Sequence, residues 1–171
     1  MNRLHGVITE RCIIDHLPLR SYGLTISDIM TTNVHYISSS QTLLDASSVM
    51  SSHNIRRLPV FEEKQLCGMI TVTDILKYLI SSERHIDAIL TKEEMKKFMQ
   101  DPIKSLELIE PIVLNSKSEF EEFLKLMKES RTNGFPVINE DGKMIGIVSS
   151  RDIVVKLPKL LELQTFMELF N

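Results

Sequence analysis

The sequence predicts a mixed α/β (α+β) protein made of two β-α-β-β-α repeats, packed sheet to sheet with pseudo-two-fold symmetry. Three observations carry this. The chain repeats itself once: Leu58-Pro59-Val60-Phe61 returns as Phe135-Pro136-Val137-Ile138, and Gly68-Met69-Ile70-Thr71-Val72-Thr73-Asp74-Ile75 returns as Gly146-Ile147-Val148-Ser149-Ser150-Arg151-Asp152-Ile153. The same order of local patterns surrounds both copies. Each copy is also too short to cover its own sheet face, and two copies packed together bury both faces.

In the first copy, residues Val34 to Ile37 read as a short strand. A helix follows from Thr42, which has capping-box spacing to Asp45, with Leu43, Ala46, Val49 and Met50 at helical intervals. Arg57 to Phe61 lead into a strand whose Pro59 stands near its start, where a missing N–H does least harm. Glu62 to Gln65 form a turn, and Leu66 to Val72 return as the second arm of a hairpin. A helix then runs from about Asp74, with Ile75, Leu76, Tyr78 and Leu79 apolar.

The second copy repeats this order. Ile112 to Leu114 are its first strand, and Ser118 and Glu121 have capping-box spacing ahead of the stripe Phe120, Phe123, Leu124 and Met127. Phe135 to Ile138 and Met144 to Val148 make the hairpin, turned by Asp141-Gly142. The last helix carries Ile153, Val154 and Leu157, and Pro158 is expected to interrupt or kink it.

The expected organisation is an N-terminal segment (1–24), repeat one (25–82), a helical linker (83–106), repeat two (107–163) and a C-terminal helix end (164–171). The linker is charged. Its apolar positions Ile86, Ile89, Leu90, Met95 and Phe98 suggest one or two helices packed on the outside. In the N-terminal segment Val7, Ile8, Ile13, Ile14 and Leu17 are apolar enough to dock, on a surface the sequence does not name.

Composition narrows the function classes. With no Trp and 6% aromatic residues, the core must be aliphatic. A net charge of -3 argues against nucleic acid as the main partner. No apolar run approaches the ~20 residues that span a bilayer, and the first ten residues lack the apolar core of a signal peptide. Cys12 and Cys67 form neither a disulfide framework nor a zinc ligand set, which fits a reducing cytoplasm. Cys67 lies in an apolar run and reads as a small buried hydrophobe. The five histidines supply no second ligand pair to join Cys12 and His16, so no metal is expected. No Gly-x-Ser-x-Gly, Walker A or dinucleotide fingerprint occurs, and no nucleophile stands beside a base; the expectation is that the protein is not an enzyme.

The hydrophobic-Pro-Val segment followed by Gly-x-x-Thr/Ser-x-x-Asp, present twice and in order, resembles the cystathionine-β-synthase (CBS) domain family. The resemblance covers roughly residues 25–82 and 107–163. It implies a tandem CBS pair, or Bateman module: a regulatory, non-catalytic unit that binds AMP, ADP, ATP or S-adenosylmethionine in clefts between its two domains. It also implies a homodimer associating through helices, and a separate regulated protein that the sequence does not identify.

The resemblance assigns ribose binding to Asp74 and Asp152, since a carboxylate accepts hydrogen bonds from both hydroxyls of a vicinal diol. Each Asp also begins a helix, where its charge needs no ligand to be favourable. Thr71 and Ser149 would reach the nucleotide, cap the same helices, or do both. Arg56 and Arg57 offer planar donor forks for phosphate, or are a solvated surface pair. The second copy has Asn133 and Gly134 there, so its phosphate charge would come from Arg131 or Arg151, and the two sites are not equivalent. Pro59, Val60, Pro136 and Val137 would wall an adenine ring, form core, or do both. Backbone groups near Val34 to Ile37 and Ile112 to Leu114 would read its edge.

Three functions are compatible with these residues. One is an adenosyl-nucleotide sensor acting on a partner. Another is an interaction and dimerisation module with vestigial clefts, and the third is a nucleic-acid-associated CBS protein. The final helix, with Leu160, Leu161, Leu163, Phe166, Met167, Leu169 and Phe170, is too apolar for water and must pack on its own module or on a second copy.

Overall fold

A computed structural model describes residues 3–81, 91–130 and 132–170. The chain divides into two compact units: His35–Pro111, and Met1–Val34 together with Ile112–Asn171. Each holds one three-stranded sheet and one core; the buried residues of the first-repeat core include no aromatic, whereas Phe120, Phe123 and Phe135 are fully buried in the second, so the expectation of an aliphatic core fails there.

The first-repeat unit contains β1 (Ile37–Ser38), α3 (Leu43–Ser52), β2 (Arg57–Glu62), β3 (Gln65–Thr71), α4 (Val72–Ser81) and α5 (Lys92–Met99). The second-repeat unit contains α1 (Glu10–His16), α2 (Ile26–Ile29), β4 (Leu114–Asn115), α6 (Phe120–Glu129), β5 (Gly134–Ile138), β6 (Met144–Ser149), α7 (Ser150–Leu160) and α8 (Leu163–Met167). In both sheets a two-residue strand runs parallel to the middle strand, which pairs antiparallel with the third. Both middle strands carry a register shift at the same place, after Val60 and after Val137.

Several expectations shift. The first strand of each repeat starts later than the sequence suggests, because only Ile37-Ser38 and Leu114-Asn115 reach the middle strand; Ile112 and Val113 stay exposed. Thr42 and Asp45 do form a capping box. Ser118 and Glu121 do not: Glu119 is the N-cap of α6, and the Glu121 carboxylate accepts the Tyr22 N–H instead. Pro158 does not interrupt α7, which continues to Leu160.

The N-terminal segment docks on the second repeat. Ile14 and Leu17 are fully buried there, while Val7 and Ile8 remain exposed. The Arg11 guanidinium donates to the carbonyls of Met127 (2.6 Å), Lys128 (2.8 Å) and Ser130 (3.4 Å), which lack helical partners at the end of α6. Burying Ile14 and Leu17 contributes about 1.5–3 kcal/mol each. Residues 24–31 are also part of this unit: Ile26 N–H donates to Ser118, Ser27 N–H to Ser116, and Phe120 N–H to Leu24.

The matching segment before the second repeat belongs to the first-repeat unit. Ile103 is fully buried in its core, and backbone bonds run from Leu43 to Asp101, Ile103 to Gln41 and Lys104 to Ser39. In the linker, Phe98 packs on this core and Met95 is exposed; the helix expected around Ile86, Ile89 and Leu90 lies outside the described residues. At the C-terminus Leu169 is buried in the second-repeat core, with Leu161 and Phe166 against it, whereas Leu160, Met167 and Phe170 stay partly exposed.

Candidate functional site

Strand pairing brings the first repeat's polar groups together. The β2–β3 register sets Arg57 opposite Thr71 and Val60 opposite Gly68, and the Val72 N–H donates to the Arg56 carbonyl at 3.2 Å. Arg56 is exposed and Arg57 half-buried. The Thr71 hydroxyl and N–H donate to Asp74 Oδ2 at 2.6 and 2.9 Å, and the Asp74 N–H donates back to the hydroxyl at 3.3 Å. This capping box fixes the carboxylate at the start of α4. Among the described residues nothing donates to the other oxygen, Oδ1.

The second repeat has the same frame with different occupants. Gly134 stands opposite Ser149, and the Ser150 N–H donates to the Asn133 carbonyl at 3.2 Å. Asn133 and Gly134 thus hold the places of Arg56 and Arg57. Ser149 N–H and hydroxyl donate to Asp152 Oδ2 at 2.8 and 2.7 Å. Asp152 is buried, and its Oδ1 receives the Thr31 hydroxyl at 2.8 Å and the Lys156 ammonium at 2.8 Å. Lys156 also donates to the carbonyls of Ile29 and Met30 at 2.8 Å and to Thr31 Oγ1 at 3.0 Å. Arg151 is exposed, and Arg131 lies outside the described residues.

The expected adenine walls sit deep. Val60 and Val137 have no exposed surface and belong to the two cores. Pro59 and Pro136 alternate to the opposite sheet face and are buried as well. The glycine of each motif is explained by close approach. A Cβ on Gly68 would meet Leu108 Cβ at 2.9 Å; one on Gly146 would meet Met30 Sδ at 2.6 Å and the Thr31 carbonyl at 3.1 Å. Met30 in the second-repeat unit and Leu108 in the first thus fill the space beside the motif glycine.

Sequence reasoning missed Thr31 and Lys156. Lys156 carried a readable signal, since it stands four residues after Asp152 on one helix face. Thr31 carried none, because it meets Asp152 only through the pairing of Thr31 with Ile147 at the edge of β6. Among the described residues no group of three His, Cys, Asp or Glu could hold a metal. Nor is any helix there long and apolar enough to cross a membrane.

Two β-α-β-β-α sheets, each ending in a hydroxyl-x-x-Asp helix cap, define a tandem-repeat module. A model of the CBS domain family matches residues 26–81 and 96–159. The chain belongs to the CBS domain family. An uncharacterized 33.4 kDa protein from the ribosomal RNA operon of Thermofilum pendens is 28% identical over 166 residues, covering 97% of this chain and 54% of that one. The crystal structure of MJ1225 from Methanocaldococcus jannaschii matches with a TM-score of 0.76 at 25% identity, over 86% of this chain and 52% of that chain. The chain thus spans about half the length of both. CBSX2 of Arabidopsis thaliana, solved in complex with AMP, matches with a TM-score of 0.65 at 23% identity, over 81% and 98% of the two chains, a likeness of fold.

Proposed function

We propose that this chain is a non-catalytic regulatory CBS pair that binds an adenosyl nucleotide in its first repeat and acts on a separate partner protein. The carrying observation is Asp74: one carboxylate oxygen is fixed by the Thr71 cap, the other receives no donor among the described residues, and the strand register sets Arg57 opposite Thr71. A diol donates to the open oxygen, and the guanidinium groups take phosphate. That CBSX2 was solved with AMP supports this ligand class. Among AMP, ADP, ATP and S-adenosylmethionine, the two arginines favour the phosphorylated ligands.

Regulation follows if the nucleotide favours one arrangement of the chain over another. The free thiols of Cys12 and Cys67 fit a reducing cytoplasm. A homodimer is the proposed assembly. On α3 and α4 a groove of about 410 Å³ is lined by Ser47, Met50, Asn54, Ile75, Leu76 and Met99, among others, with no charged side chain. Val72, Leu76 and Ile80 add an exposed apolar stripe along α4. This same surface favours the second reading, an interaction module without a nucleotide.

Calorimetric titration with AMP, ADP, ATP, S-adenosylmethionine and GMP separates the two. Saturable binding of an adenosyl ligand is expected, weakened at least ~10-fold by Asp74→Ala, because charged hydrogen bonds are lost. No heat from any ligand, on folded and nucleotide-free protein, leaves the interaction module.

A further inference from the structure

We infer that Lys156 and Thr31 together close the second repeat to ribose, so that each chain takes one adenosyl nucleotide, through Asp74. This rests on the nucleotide reading above. An ionised carboxylate has about four lone-pair positions. At Asp152 four donors fill them: Ser149 N–H and hydroxyl on Oδ2, and the Thr31 hydroxyl and Lys156 ammonium on Oδ1. At Asp74 only the two cap donors are present among the described residues. Among the described residues Asp74 thus keeps the two positions a vicinal diol needs, and Asp152 keeps none.

The plug is held in place by more than its ion pair. Lys156 Nζ lies within 3.0 Å of four oxygens: Asp152 Oδ1, Thr31 Oγ1 and the Ile29 and Met30 carbonyls. A ribose entering there would have to leave those carbonyls without their cation, and no sugar hydroxyl replaces a charge. The first repeat lacks the lysine. Tyr78 holds the place of Lys156 and turns its hydroxyl to Asp101 at 2.9 Å. The second repeat also lacks the arginine pair. The Asp152–Lys156–Thr31 cluster therefore acts as a brace, tying residues 29–31 to α7.

The test is the stoichiometry of AMP binding to the full chain, stripped of carried-over nucleotide. The parent is expected to bind one AMP per chain. Asp74→Asn should weaken it about 10-fold, and Asp152→Asn should leave the affinity within about 3-fold while lowering the melting temperature. Lys156→Met together with Thr31→Val removes both Oδ1 donors and keeps their apolar stems; a second AMP per chain is expected. If that variant does not fold, Lys156→Tyr with Thr31→Val puts the first repeat's residue in the place of the lysine. Two AMP per chain in the parent, one of them lost in Asp152→Asn, overturns the inference. So does a folded double variant that still binds only one. If the parent binds no AMP but the double variant does, the plug stands and the first-repeat site falls. If neither binds, both fall together.

Discussion

Asp74 and Asp152 occupy the same place in their repeats, yet Thr31 and Lys156 donate to the Asp152 oxygen whose counterpart on Asp74 receives no donor among the described residues. The cysteines show the same dependence on surroundings. Burial, reinforced by the negative charge of Glu62, pushes the Cys67 thiol above its usual value of 9.0, and its S–H donates to the Val60 carbonyl at 3.3 Å. The side-chain hydrogen bond with Thr9, helped by that residue's backbone, pulls the exposed Cys12 thiol below the same value. The thiolate is the nucleophile, so Cys12 holds the larger reactive fraction at neutral pH. Cys67 is partly exposed rather than buried as the sequence suggests, so iodoacetamide at pH 7 should alkylate Cys12 first and Cys67 more slowly; peptide mass spectrometry reads both. Equal rates in the folded protein would mean that the β2–β3 hairpin opens readily, contrary to the packing of Cys67 on the first-repeat core.

At the scale of elements, the two hairpins differ in their turns. In the first repeat β2 ends at Glu62 and β3 starts at Gln65, so Glu63 and Lys64 turn the chain with φ of 46° and 71°. Positive φ costs a residue with a Cβ roughly 1 kcal/mol, and two-residue hairpin turns of this kind favour Asn-Gly. The second repeat instead uses a longer turn with Gly142 at φ 73° and the Asn139 side chain accepting from Asp141 and Lys143. Replacing Glu63→Asn together with Lys64→Gly should raise unfolding free energy by about 1 kcal/mol in urea melts. No gain would mean that the native pair already relaxes its strain.

Elements of this local kind were legible in the sequence. The box of Thr42 with Asp45, the caps of Thr71 and Ser149 and the buried stripe Phe120, Phe123, Leu124, Met127 all follow from spacing within one turn or two. The failures came where a distant group intervened. Glu121 has the right spacing to Ser118, but the Tyr22 N–H claims it from 99 residues away. In the same way the cap made by Asp152 was readable, and the Thr31 hydroxyl on its other oxygen was not.

At the scale of the molecule, neither unit coincides with its sequence repeat. The segment before the first repeat is built into the second-repeat unit, and the segment before the second is built into the first-repeat unit. A pattern search marks where the motif recurs and is blind to this exchange, because Ile14, Leu17 and Ile103 look like ordinary apolar residues outside the motif. The exchange has a consequence for cooperativity. A fragment of residues 35–111 keeps the whole first-repeat core, including Ile103 and the backbone bonds from Leu43 to Asp101 and from Lys104 to Ser39. A fragment cut at the repeat boundaries, 25–82, loses all of these while carrying Ile26 and Ile29, which belong to the other core. Removing a fully buried Ile costs about 2–5 kcal/mol, a large part of what so small a domain possesses. Thermal melts followed by circular dichroism should therefore show a cooperative transition for 35–111 and none for 25–82. The reverse order would mean that the repeat itself, and not the exchanged unit, is what folds.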